Sequence, residues 1–310
     1  MSFKLIFFLI TSFFLILGCN KGVRINKSVA NQTKGICSIQ FGNQLLEIDP
    51  SAGGRIASLK LDDKDFLTDS SINNFNWGST FWLSPQTDWE WPPSAEVDNK
   101  PYSIKIDNKQ VIMISPMDPT TGFVITKVFS VNRKHKSYLL NYIITNHSAK
   151  PQKFAPWEVT RVHINGLSFF PYGEGVRSGG LLPFTSEKDG ISWFQYQSNH
   201  LPIMGDRQLY SDGAEGWLAH VTDRMILIKK FPEIPFEKIA PKEGEVEWYA
   251  SPVALGKSYV EIEHQGAYEQ IQPGESTSWQ VEWFLRMLPS NIKSSVENNA
   301  LVNYVRQVIK

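Results

Sequence analysis

From Gly35 to about Leu288 the apolar and polar residues of this chain alternate in short runs, with the period of strands rather than of helices. Ser103–Ile106, Gln110–Ser115, Gly122–Val131, Ser137–Thr145, Met225–Phe231 and Ser258–His264 are rich in Ile, Val, Phe, Tyr and Trp, and clusters of Gly, Pro, Asn and Asp separate them. No helix-period segment of useful length interrupts the series. That order excludes a doubly wound α/β sheet and a TIM barrel, which need helices between strands, and it predicts an all-β fold, a large sandwich or barrel. Helical spacing returns only at the end. After Pro289-Ser290, Leu301, Val305 and Val308 fall at i, i+4 and i+7 within Ile292–Ile309, predicting one amphipathic C-terminal helix that closes an end of a sheet. No internal repeat is visible, which argues against a propeller or solenoid.

The first residues follow a different pattern. Lys4 precedes an almost unbroken apolar run, Leu5 to Leu17, that is too short to span a bilayer as a helix, for which about 20 residues are needed. The run ends in Leu15-Ile16-Leu17-Gly18-Cys19, which resembles the lipobox of bacterial lipoproteins. Residues 1–18 are therefore expected to be a lipoprotein signal peptide, with Cys19 the lipidated first residue of the mature chain, since two or more acyl chains anchor stably. Asn20 is not the aspartate that holds such proteins at the inner membrane, so the expectation is the outer membrane of the cell envelope. Residues 19–34 are polar and predicted to be a lipid-anchored tether. Residues 35–310 read as a single domain, because the Pro/Gly-rich stretches within them are too short and aromatic to be linkers.

Lys+Arg 31 against Asp+Glu 31 leaves no net charge and no basic excess with which to bind a phosphate backbone, so no nucleic-acid partner is expected. Of the two cysteines, Cys37 is the one thiol remaining after lipidation of Cys19, so no disulfide framework is possible. It lies in the strand-like run Ile36–Phe41 and reads as a small buried hydrophobe. The six histidines show no HxH or HxxxH spacing, and no P-loop, GxGxxG or GxSxG occurs; no metal and no cofactor are expected.

Candidate chemistry concentrates in three places. Between Trp77 and Pro93 lie four of the ten tryptophans, interleaved with Gln86, Asp88 and Glu90. So many prolines preclude a central strand. In a loop, Trp82, Trp89 and Trp91 must either pack onto the core or offer faces to a ligand, and sugar rings suit such faces because their axial C–H groups lie against them while Gln86 and Asp88 bond hydroxyls. In Tyr259–Gln265, alternation puts Glu261, Glu263 and Gln265 on one face and Val260, Ile262 and His264 on the other; adjacent carboxylates of this kind are either wet or proton-shifted, and one of them can be a general base. In Phe154–His163, Glu158 and Thr160 share one face, and Trp157, Arg161 and His163 the other. Arg161 also reads as a structural ion-pair partner.

Four passages together resemble the galactose-mutarotase-like (aldose 1-epimerase-like) superfamily, in an uncharacterised bacterial lipoprotein branch. They are Gly53-Gly54-Arg55-Ile56-Ala57-Ser58-Leu59, then Gly78-Ser79-Thr80-Phe81-Trp82-Leu83-Ser84-Pro85, then Tyr138–Asn146 with Ala149-Lys150-Pro151, and finally Glu263-His264-Gln265 with Gln272-Pro273-Gly274-Glu275. The resemblance covers nearly the whole mature chain. It implies a large twisted β-supersandwich with a carbohydrate site on its concave face. In the family's enzymes a glutamate takes the anomeric proton and a histidine protonates the ring oxygen. Glu263 matches the glutamate; at the histidine's position this chain reads Pro156-Trp157-Glu158, so a proton-shifted Glu158 is the expected stand-in. Trp82, Gln86, Asp88, Trp89, Trp91, Trp157, Arg161 and Gln265 are the expected ligand contacts. Three readings remain: an envelope lipoprotein binding a carbohydrate, an aldose 1-epimerase-like enzyme with Glu263 as base, and a glycoside hydrolase or lyase, which needs two carboxylates at a defined separation.

Overall fold

The computed structural model describes residues 22–27, 35–107, 109–197, 205–252 and 257–310. Two large antiparallel sheets stack face to face. The first runs, neighbour by neighbour, through Arg24–Lys27, Cys37–Phe41, Gln44–Asp49, Arg55–Leu61, Ser79–Ser84, Gln152–His163, Tyr259–Gln265, Val246–Ala250 and Gln208–Ser211. The second runs through Ser186–Lys188, Ile191–Gln195, Leu167–Pro171, Trp217–Thr222, Met225–Lys230, Ser276–Met287, Ser137–Asn146, Phe123–Asn132, Gln110–Ile114 and Ser103–Ile106. This is the all-β supersandwich expected, and the strands foreseen between residues 103 and 264 form within a residue or two of their predicted ends.

Alternation explains the stacking. Along Phe123–Asn132 and Ser137–Asn146 every second side chain is buried between the sheets, as period-2 patterning requires. Central strands break the pattern because they are covered twice: Phe154 to Val162 are all buried, and so is the whole of Tyr259–Gln265. The inter-sheet core holds Cys37, Phe81, Tyr142, Trp248, Trp279 and Trp283, among many aliphatic side chains.

Two glycines of the recognised passages have a visible reason. Gly53 has φ +70°, and a Cβ there would lie 2.0 Å from the Asp98 carbonyl oxygen; Gly78 has φ +60°, and its Cβ would lie 2.3 Å from the carbonyl oxygen of Ile56.

Two expectations change. The C-terminal helix spans Asn299–Val308 rather than starting at Ile292, because the Asn298 side chain caps it by accepting from the Ala300 N–H at 3.0 Å. It does not close the end of a sheet. Leu301, Val302 and Val305 lie on the outer face of the second sheet, against a cluster that includes Phe169, Trp193, Trp217 and Phe284. The polar segment 19–34 is also more than a tether, since Arg24–Lys27 pairs antiparallel with Cys37–Phe41, Ile25 opposite Ile39. The signal peptide and Cys19 lie outside the described residues.

Candidate functional site

The register of the first sheet assembles a row of side chains on its outer face. Trp157, Val159 and Arg161 sit beside Gln265, Glu263 and Glu261 respectively. Trp82 pairs with Trp157 on one side, and Glu247 and Tyr249 pair with Glu263 and Glu261 on the other. Beyond Ser84 the chain leaves the sheet and doubles back: the Gln86 N–H donates to Glu243 Oε1 at 2.6 Å, and Trp89 Nε1 donates to the Leu83 carbonyl at 2.7 Å. The fold-back roofs a cleft of about 370 Å³. Trp82, Trp91 and Trp157 wall it with Tyr249 and Tyr259, and Asn76, Gln86, Gln208, Glu261 and Glu263 supply its polar groups.

The aromatic walls are fixed. Trp82 meets Trp91 and Trp157 edge to face, at centroid distances of 5.7 and 5.4 Å. Its Nε1 donates to Asp98 Oδ1 at 2.7 Å, and the Arg161 guanidinium lies 4.9 Å from its ring centroid. Trp82 and Trp157 are largely buried, whereas Trp91 is 50% exposed and offers a free face at the lip.

The polar floor is strongly acidic. Glu263 is 1% exposed; its Oε1 accepts from Gln208 Nε2 at 3.1 Å, while its Oε2 has no partner among the described residues. Burial first, and then the neighbouring Glu261, push its carboxyl well above the usual range. Glu261 is likewise raised by burial, against the pull of Arg161, whose Nε donates to it at 2.7 Å. Behind them Glu247 accepts from Gln208 and Gln265 Nε2, each at 2.7 Å, and burial beside Glu243 and Glu263 drives it well up too. Burial also raises the phenols of Tyr249 and Tyr259, so both stay protonated donors. Carboxyl groups raised in this way, together with the two phenols, can donate as well as accept hydrogen bonds to hydroxyls, and the indole walls suit an apolar ring face.

Of the residues expected from sequence, Trp82, Gln86, Trp91, Trp157 and Glu263 meet in the cleft. Asp88 and Trp89 do not; they line a neighbouring hollow of about 430 Å³ on the other side of the loop, with Trp82 shared between the two. Arg161 and Gln265 lie beneath the lining. Arg161 is enclosed, donating to Glu261 and to Thr80 Oγ1 at 2.6 Å, with Nη2 unpartnered, and Gln265 supports Glu247. Glu158 is a correction. It shares a strand with Trp157 but points the opposite way, into the inter-sheet core, where it pairs with Lys229 Nζ at 2.9 Å and accepts from Trp283 Nε1 at 2.9 Å and from the Tyr142 hydroxyl. Both members of that pair are fully enclosed. Glu158 and Glu263 therefore face opposite sides of one sheet and cannot act on a common substrate. The histidine of that region, His264, is also in the core, stacked on Phe231 at 4.4 Å. Asn76, Gln208, Tyr249 and Tyr259 were not singled out from sequence. Tyr259 has the same parity as Glu261 and could have been; Gln208 comes from a distant edge strand and carries no local signal.

Comparison with solved structures gives the same architecture. A candidate aldose 1-epimerase from Klebsiella pneumoniae superposes with a TM-score of 0.62 at 13% identity, over 94% of this chain and 92% of that one. A galactose mutarotase-like protein from Clostridium acetobutylicum gives 0.57 at 11% identity, over 87% and 100%. A TPR-domain-containing protein from Parabacteroides distasonis gives 0.57 at 13%, covering 85% of this chain, which spans 49% of its length. The fold is thus galactose-mutarotase-like. No curated protein matches the sequence. A family profile described as "Domain of unknown function (DUF4380)" matches residues 83–286, a stretch that takes in the tryptophan loop, both central strands of the cleft and Gln208, and the chain belongs to that family.

Proposed function

We propose that this protein is an envelope lipoprotein, anchored through Cys19, that binds a carbohydrate in the cleft of the first sheet. The supporting observation is the meeting of Trp82, Trp91 and Trp157 with Glu261, Glu263 and Gln208 in one concave site of about 370 Å³. That volume is of the order of a single sugar ring with its hydroxyls, and two of the solved structures sharing the fold are described as a galactose mutarotase-like protein and a candidate aldose 1-epimerase. Binding is favoured over aldose 1-epimerase-like catalysis. Among the described residues no histidine lines the cleft, and Glu158 lies on the far face of the sheet.

The test is titration of the purified protein with a panel of mono- and oligosaccharides, followed calorimetrically, for the wild type and for Trp91→Ala. Trp91 is half exposed, so its removal should leave the melting temperature little changed while weakening binding roughly 5- to 150-fold, for about 1–3 kcal/mol of lost ring contact. A panel without a single binder, or equal affinity in the variant, would turn the reading down.

A further inference from the structure

The charges around the cleft do not balance. Glu261 and Glu263 line it, Glu247 lies directly behind Glu263, and Glu243 holds the loop above through Gln86. The buried cations around these four carboxyl groups are already engaged: Arg161 is enclosed beneath Trp82 and bonded to Glu261, Arg207 donates to the Ala250 and Ser251 carbonyls, and Lys229 pairs with Glu158. Among the described residues, neither lysine nor arginine nor histidine lines the cleft. A cluster of acids alone would mean little, but here one acid is unfinished: Glu263 lines the cleft, and its Oε2 is buried and has no hydrogen-bond partner among the described residues. A buried carboxyl oxygen left open costs free energy that a bound donor would recover.

We propose that the sugar taken by this cleft carries a free amino group, bound as the ammonium ion against Glu263 within the tryptophan walls; this rests on the carbohydrate reading above. An ammonium supplies the missing hydrogen bond to Oε2 and the missing positive charge at once. It is also the ligand group that indole faces attract through their quadrupoles, so Trp82, Trp91 and Trp157 form three sides of an aromatic cage with an acidic floor. Burial raises the acidity range of Glu263 in the empty cleft, and an ammonium beside it favours the ionised form, with any proton released going to solvent. A uronic acid or sugar phosphate meets the reverse situation, an anion among four carboxyls.

The experiment compares four ligands of one ring type by calorimetry at about pH 6, where the amine is protonated: the 2-amino sugar, its N-acetyl derivative, the parent neutral sugar and the hexuronate. The expected order is amine first, by about 10- to 30-fold over the N-acetyl and neutral forms, with the hexuronate not bound. Glu263→Gln, nearly isosteric, should bring the amine to within about 3-fold of the neutral sugar, the readout being the ratio of the two affinities measured on the same variant. If the neutral or N-acetyl sugar binds as tightly as the amine to the wild type, the amine assignment is wrong and the carbohydrate reading stands. If no sugar of the panel binds, the carbohydrate reading falls and this inference with it. Calcium binding on its own, displacing the amine, would assign the carboxyls to a metal ion and overturn the proposal.

Discussion

Replacing Glu158 by glutamine keeps the side chain's volume and removes its charge from the middle of the inter-sheet core. The native carboxylate accepts from Lys229 Nζ and Trp283 Nε1, both at 2.9 Å, and from the Tyr142 hydroxyl. Glu158 and Lys229 have no exposed side-chain surface, so water cannot compensate for either. Removing one partner of such a buried pair costs about 3–5 kcal/mol, because the other charge stays in a poorly polarisable medium. The lower end is expected here. The Tyr142 hydroxyl can rotate to accept from the new amide, and Lys229, whose acidity burial already increases, can shed its proton. With a urea slope of about 3 kcal/mol per molar, the unfolding midpoint followed by tryptophan fluorescence should fall by about 1 M. Glu158→Gln combined with Lys229→Met removes both charges and should recover most of the loss. Ligand affinity of the folded single variant should not change, since the side chain lies on the opposite face of the sheet from the cleft. A variant as stable as the wild type would refute the buried-pair reasoning. So would one that keeps its stability and loses ligand binding, which would return Glu158 to the site.

Gly78→Ala places a Cβ 2.3 Å from the Ile56 carbonyl oxygen at a residue with φ +60°; it should destabilise by about 2 kcal/mol or more, and a melting temperature equal to the wild type's would contradict the backbone argument. Glu245 is pushed up to about 8, first by burial and then by Glu233, so the folded protein retains a proton that the unfolded chain loses near 4.5. Its contribution is therefore complete below about pH 4.5 and lost as the pH rises through about 8, and the stability gap between wild type and Glu245→Gln should narrow over that window; a gap that widens in chemical denaturation would reverse the sign. Cys19→Ser should abolish palmitate labelling of the full chain in cells, and a serine variant that still labels would remove the lipid anchor from the picture.

Strand positions were legible because the side-chain period of a strand is two and the buried rows follow it. The same parity correctly paired Glu261 with Glu263 and Trp157 with Arg161. Glu158 shows what misleads. Its parity already opposed Trp157, and only the resemblance to a family with an acid on that strand drew it toward the site. Parity was the better guide, since no bulge intervenes between Trp157 and Glu158 in the register with either neighbouring strand. The tryptophan cluster was legible as a site but not as two: which rings face the cleft and which the adjacent hollow depends on a fold-back pinned by Glu243, more than 150 residues away. The helix was placed too early because Ile292 and Val296 have the right spacing and do pack against the same cluster, but as irregular chain ahead of the Asn298 cap.

The pairing of Arg24–Lys27 with the sheet changes how the protein would stand on a membrane. A lipid on Cys19 would be followed by only four residues, Asn20 to Val23, before the sheet begins, a leash of at most about 18 Å at ~3.5 Å for each extended step from Cys19 to Arg24. That is far less than a 16-residue tether would allow. The leash also enters at one margin of the first sheet, whereas the cleft is built from its middle and from the strands toward the opposite margin, Val246–Ala250 and Gln208–Ser211. Held so short at that corner, the body would stay close to the bilayer, with its cleft on the part of the sheet farthest along the strand order from the anchor. Such a posture suits capture of material diffusing through the surrounding aqueous space rather than extraction of headgroups from the leaflet that carries the anchor.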